Sequence, residues 1–238
     1  MLRPSRKGIV DVWNAFMVEG ARMCDEDIPL CPCTLDGEPQ QLVSWPEAKR
    51  ICRRQHRRGN KDFHVNALVH FYVDDNKFDG VFSGVWQRPE RALAVLGHFD
   101  GIVTPDYSIC QDFPKAIKLF NVYRMRAFGY WVGSRGLQVG NNARWGGAET
   151  WGYCNSGIPK GSPIFVGAVA SGLKSAGNRP LFDVGFAETV DHLEPSAVYF
   201  YGSPTKASLT LLSKRGIPFK VFESDAHAAH RGKRGEHE

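Results

Sequence analysis

Apolar and polar positions along this chain fall into a repeating order: a short apolar run, a polar cluster, then a helical pattern. Two clear copies are Ile102-Val103-Thr104 running into Pro105-Asp106-Tyr107-Ser108, and Leu137-Gln138-Val139 running into Asn141-Asn142-Ala143-Arg144-Trp145. Runs of this kind predict strands at 68–73, 101–104, 137–140, 164–169, 197–201 and 219–222. Between them the period changes to that of a helix. Ser44, Pro46 and Glu47 form a capping-box start for a helix that should run to about Arg57 and stop near Gly59. Pro89 opens a helix through Leu96. Asp112 is expected to cap a long helix with Ala116, Leu119, Phe120, Tyr123, Ala127, Tyr130 and Trp131 on its buried face. A helix is expected over 183–193, and another capped by Ser203 with Pro204 at its first position and ended by Gly216. Residues 9–19 predict a short helix with Val10, Trp13, Phe16 and Met17 on one face, and 148–155 another. Residues 24–43 read as a loop, and 76–87 as a hairpin or a loop.

Six strands alternating with helices predict an α/β fold, mostly parallel, with right-handed crossovers. A closed eight-stranded barrel typically takes ~250 residues, and the first ~60 here look unable to supply two more βα units. The expectation is a barrel-like, incomplete TIM-type layer, with an open doubly wound sheet as the alternative. In domain terms this gives an irregular N-terminal extension over 1–60, a βα core over 61–224 and a basic, flexible tail over 225–238.

In this architecture the C-terminal strand ends share one edge, where such folds place their chemistry. The polar residues expected there are Asp74, Asp75, Asp106, Tyr107, Ser108, Asn141, Asn142, Arg144, Ser171, Lys174, Ser203, Glu223 and Asp225. Asp74, Asp75 and Asp106 are the candidate catalytic acids, bases or ligands for a divalent metal. Tyr107, Ser108, Asn142, Arg144, Trp145, Lys174, Ser203 and Glu223 are candidate substrate-binding residues, with Arg144 suited to a phosphate or carboxylate. Against this stands the ordinary enrichment of polar loop residues at strand ends. Adjacent Asp74 and Asp75 point to opposite faces if both are extended, and only one then faces the site.

Several stretches resemble the family known as domain of unknown function 4417, found in bacteria, archaea and phages. They are Val69-His70-Phe71-Tyr72-Val73-Asp74-Asp75, Phe99 to Ser108, Asn121-Val122-Tyr123-Arg124-Met125-Arg126, Asn142-Ala143-Arg144-Trp145 and Gly157-Ile158-Pro159-Lys160-Gly161-Ser162. The resemblance covers about residues 68–202 and implies a phage or mobile-element origin. It implies no reaction and carries over no catalytic residue.

Charge adds a second feature. The net charge of +5 is a mild basic excess, and its densest part is the run from Lys49 to Arg58. On a helix Arg50, Arg53, Arg54 and Arg57 share one side, a stripe able to neutralise phosphates or simply a solvated face. No aromatic is interleaved, so base stacking there is unsupported. Gly157 to Ser162 follows a helix and precedes a strand, the reverse of a phosphate loop, and reads as a tight turn. Cys24, Cys31, Cys33 and Cys52 with His56 depart from zinc-knuckle spacing. No apolar run follows the charged start, so no signal peptide or membrane span is expected. The location is then cytoplasmic, that of the host if phage-encoded, and the six cysteines reduced. Three functions stay open, one catalytic and two not. One is an enzyme with a carboxylate-lined rim acting on a nucleotide, nucleic acid or other phosphorylated substrate. The others are a non-catalytic nucleic-acid-binding accessory using the 49–58 helix, and a factor binding a host protein.

Overall fold

In a computed structural model, which describes residues 8, 10–80, 84–171, 173 and 177–224, seven strands form one sheet in chain order. They are β1 (Leu42–Ser44), β2 (Val65–His70), β3 (Phe99–Val103), β4 (Gln138–Asn142), β5 (Ile164–Gly167), β6 (Val198–Tyr201) and β7 (Phe219–Phe222). Every neighbouring pair is parallel. An order that never reverses puts all crossovers on one side, so the sheet curls into an open half-barrel. A doubly wound sheet would reverse its order at a switch point, and none is present.

The expectation of six strands misses β1. Its register, Leu42 beside Leu68 and Ser44 beside His70, makes it the first strand of the sheet. Residues 42–57 are therefore a βα unit of the barrel. The helix that follows, α1 (Trp45–Arg57), starts after Ser44 with Pro46 in its first turn and the chain turns at Gly59, as expected, but the capping box does not form: Ser44 makes no side-chain cap bond and Glu47 accepts from Arg50 instead. The remaining helices are α2 (Asp75–Phe78), α3 (Pro89–Leu96), α4 (Lys115–Ser134), α5 (Asn178–Leu193) and α6 (Lys206–Arg215). Three starts differ from the sequence reading. Helix α5 begins at Asn178 rather than at 183. Helix α4 begins at Lys115 after Pro114 rather than at an Asp112 cap. Helix α6 is capped by Thr205, not Ser203: the Thr205 hydroxyl accepts the Ser208 N–H at 3.0 Å. Thr205 and Ser208 both donate from their hydroxyls to Asp183 Oδ1 on α5, so one cap also joins two helices. Thr205→Ala should lower stability by about 1–2 kcal/mol, read as a fall in the urea midpoint at unchanged m-value. The 9–19 segment holds only a 3-10 turn over Ala15–Val18, with Val10 and Phe16 exposed.

The concave face of the sheet carries Leu68, Tyr72, Val103, Phe165, Tyr199, Tyr201 and Phe222. Gly167 makes room on it: an added Cβ would sit 2.5 Å from the Tyr72 ring. The convex face is buried by the helices in two clusters. One is centred on Phe71, Phe99, Phe128 and Trp131, the other on Phe186, Val190, Phe200 and Leu212. Helix α4 follows its predicted face only in part: Ala127 and Trp131 are buried as expected, while Leu119, Phe120, Tyr123 and Tyr130 are only half-buried. Ala116 is exposed, while Lys118, Asn121 and Arg126 are buried with Val122, Met125, Phe128 and Trp131. The half-buried Phe120 and Tyr123 pack instead against Trp86, and Tyr123 also against Trp13. Among the described residues no helix is long and apolar enough to cross a membrane.

Candidate active site at the rim of the half-barrel

Four successive strand ends meet in a cleft of about 460 Å³ lined by Tyr72, Val73, Asp74, Asp75, Asp106, Ser108, Phe113, Arg144 and Val169. That volume suits a small molecule. The loop after β3 supplies Asp106 and Ser108, and α4 holds this loop in place. Asn121 Nδ2 donates to Ser108 O at 2.6 Å, and the buried Lys118 Nζ donates to Gln111 O at 2.8 Å and Glu149 at 2.7 Å. From the other side Asp75 accepts both the Ser108 N–H (3.1 Å) and the Ser108 hydroxyl (2.9 Å).

A chain of hydrogen bonds crosses the mouth of the barrel. The Tyr72 hydroxyl donates to Asn142 Oδ1 at 3.0 Å, and Asn142 Nδ2 donates to Asp106 Oδ1 at 2.7 Å. Arg144 Nη1 donates to Asp106 Oδ2, also at 2.7 Å. Asp106 is 3% exposed and has a partner on each oxygen. Burial pushes its carboxyl above the usual range, against the pull of Arg144 and Asn142, and the Asp75 charge pushes it further. Burial likewise holds the Tyr72 phenol well above its usual pKa, so it remains a donor at neutral pH. Beneath this layer the fully buried Arg126 donates to the carbonyls of Asn142 (3.0 Å) and Ser156 (3.1 Å), which pins the end of β4.

The expected site residues separate into groups. Asp75, Asp106, Ser108 and Arg144 line the cleft, and Asn142 stands directly behind Asp106. Asp74 also lines it, but its carboxylate is exposed and paired with Lys77 Nζ at 2.7 Å. The question of opposite faces dissolves because β2 ends at His70, and Asp75 begins α2. Tyr107 does not reach the cleft. It is fully buried, stacked under Arg124 at 3.8 Å and against Phe78, with its hydroxyl toward Asp79. Trp145 packs on Phe182 and Phe186 under α5 and is part of the second cluster. Asn141 points the other way from Asn142, donating to Cys31 O. Ser203 and Glu223 are exposed past β6 and β7, outside the cleft lining. Lys174, Asp225 and the 225–238 tail lie outside the described residues.

Tyr72, Val73, Phe113 and Val169 are lining residues that the sequence reading did not name as site candidates. Tyr72 had a readable signal. In a period of two it shares a face with Leu68 and His70, and a histidine on that inward face marks it as partly polar. Among the described residues no group of three or more His, Cys, Asp or Glu side chains is disposed to hold a metal ion. Cys52 turns its sulfur to Val95 O, and the side chain of Cys31 packs against Gly129. All six cysteines are free thiols in this structure, and burial raises Cys31 to about 12 and Cys154 to about 11. Gly157 to Ser162 is a turn closed by Ser162 on Pro159 O, ahead of β5 and away from the cleft.

The family model for a domain of unknown function, DUF4417, matches residues 27–213. The chain is 34% identical to the Gene 1 protein of Mycobacterium phage L5 over 201 residues, 83% of this chain and 80% of that one. It is 33% identical to the Gene 1 protein of Mycobacterium phage D29 over 137 residues, 57% of this chain and about half (48%) of that one. No solved structure matches.

Proposed function

The chain belongs to the DUF4417 family, and we propose that it is an enzyme whose site is the rim cleft, acting on a nucleotide or another phosphorylated substrate. One observation carries this reading: a buried carboxylate, Asp106, fixes the Arg144 guanidinium at the cleft wall. Burying a carboxylate is costly unless it is paired and hydrogen-bonded, and here the partner is a cation facing a ligand-sized space. Arg144 keeps further N–H donors for an anionic oxygen. The charges of the other carboxylates are accounted for: Asp106 is matched by Arg144 and Asp74 by Lys77. Asp75 is then the carboxylate available as general base, already accepting the Ser108 hydroxyl with 2.9 Å between the oxygens. In this scheme Asp106, Asn142 and Tyr72 are positioning residues.

The test is a thermal-shift panel of nucleotides and sugar phosphates, followed by assays of product release. At a hundredfold excess over Kd a ligand adds about 2.7 kcal/mol, roughly 5–11 °C in Tm for a chain of this size. Arg144→Gln should lose that shift. Asp75→Asn should keep the shift and lose about 10²–10⁴ in turnover. A panel without a single shift, or an Arg144→Gln variant that shifts like the wild type, would remove the reading.

A further inference from the structure

The arginine stripe on α1 lies apart from the cleft. Helix α1 leaves the C-terminal end of β1 and returns the chain toward Val65, where β2 starts, so its last turn sits at the opposite edge of the sheet. Arg50, Arg53, Arg54 and Arg57 recur at i, i+3, i+4 and i+7 on its exposed side, and Arg58 follows at the cap. The five side chains line a shallow groove of about 570 Å³ with no other residue in its wall. Arg50 is paired with Glu47. Arg53, Arg54, Arg57 and Arg58 have no carboxylate within ion-pair distance among the described residues. Neighbouring Lys49, lying over the Trp45 ring, has its ammonium pulled below the usual range by burial and by Arg53.

This arrangement works against the fold. Like charges at i, i+4 each cost a helix about 0.2–0.5 kcal/mol. The helix dipole favours cations in the last turn, which accounts for Arg57 and Arg58 but not for Arg50 or Arg53. The partner's chemistry follows from what the stripe contains and lacks. It has no apolar anchor, because Trp45, Ala48 and Cys52 are all buried against the sheet. A membrane-surface helix needs an apolar face to insert, and a protein interface needs a desolvated apolar core. It has no exposed Phe, Tyr or Trp on which unpaired bases could stack, and the exposed His56 ring is held edge-on against Phe63 and His98. What remains is a row of guanidinium forks, which match phosphate oxygens two at a time.

We propose that the Arg50–Arg58 face of α1 is a docking surface for the phosphate backbone of duplex nucleic acid, without base readout. It stands independently of the enzyme reading, because its residues touch neither the cleft nor its supports.

The experiment is fluorescence anisotropy of the full chain with a labelled mixed-sequence DNA duplex of about 20 base pairs, titrated at several salt concentrations. Four phosphate contacts give a slope of about −3.6 in log K against log salt, or roughly 150-fold weaker binding between 50 and 200 mM. Replacing Arg53, Arg54, Arg57 and Arg58 by Gln should abolish that slope, and Arg54→Gln alone should reduce it by about 0.9. All four positions are exposed and Gln is a good helix former, so the quadruple variant should melt no lower than the wild type. The single variant carries the test if it does not. A control with Arg231, Lys233 and Arg234 changed to Gln should keep the slope. No duplex binding at 50 mM salt overturns the proposal. So does equal binding by the quadruple variant, a slope that disappears with the tail substitutions instead, or binding to phosphatidylserine vesicles but not to the duplex.

Discussion

Lowering the pH from 6.5 towards 3 should cost this protein up to about 5 kcal/mol through one imidazole. His70 closes β2 on the concave face of the sheet, fully buried against the Tyr201 ring at 4.0 Å and beside Tyr72. Its Nδ1 accepts the Tyr72 backbone N–H at 3.2 Å, so the neutral ring carries its proton on Nε2. That Nε2 is a buried donor with no partner in the structure. No carboxylate pairs with the ring, and burial alone pushes its pKa down to about 3. The unfolded chain takes up the His70 proton near pH 6.5 while the folded one resists until about 3. The unfolded state therefore binds more protons in this window, and stability rises with pH across it. The contribution is fully present above pH 6.5 and is lost at about 1.4 kcal/mol per unit as pH falls through the window. Burial raises Asp79 and Asp106, which gives the opposite sign, so neither can imitate the effect. Urea midpoints between pH 7.5 and 4.5 measure it, above the range where ordinary carboxylates titrate. His70→Asn, whose amide oxygen can take over the Tyr72 bond, should flatten the profile. A wild-type slope retained in that variant would show that another group is responsible.

Gly101→Ala should destabilise the protein by about 3 kcal/mol or more, at the upper end of overpacking effects. Gly101 sits in β3 between Leu68 of β2 and Gln138 of β4. A Cβ there would fall 2.0 Å from Gln138 O and 2.6–2.7 Å from Gln138 C and Cα. All three atoms are backbone, so no side chain can rotate away and the two strands must part. They are also the strands that present Asp106 and Arg144, so the cleft should loosen with the ladder. For a chain of this size the loss corresponds to roughly 6–12 °C in Tm. Gly152→Ala is the control, since nothing lies within 4 Å of its added Cβ. A Gly101→Ala variant melting within a degree or two of that control would contradict the close approach of β3 and β4.

The elements that could be read from the sequence are those whose causes are local. Apolar runs placed β2 to β7, and Pro46, Pro89 and Gly216 placed helix ends, because capping and steric limits act within a few residues. Strand β1 escaped: three residues after a Pro-rich stretch show no alternation, and Leu42 to Ser44 are a strand only because the edge of β2 pairs with them. The long helix was readable, its face only in part. Counting apolar side chains selects the buried Ala127 and Trp131 but also the half-buried Phe120, Tyr123 and Tyr130. The fold instead buries Lys118, Asn121 and Arg126, whose polar groups satisfy carbonyls of loops elsewhere in the chain.

The site divides the same way. That polar residues gather at the strand ends followed from the sequence alone, since the order of strands and helices makes parallel strands share an edge. Which of them work together was decided by tertiary contacts. Asp106 meets Arg144 and Asn142 across 38 and 36 residues of chain, and Asp75 meets Ser108 across 33. Tyr107, next to Asp106 in sequence, is turned inward under Arg124 and leaves the cleft. Periodicity and caps are short-range properties that a sequence carries within itself. The partner of a polar group is a long-range one, decided when the sheet curls and burial obliges each donor and acceptor to find its match.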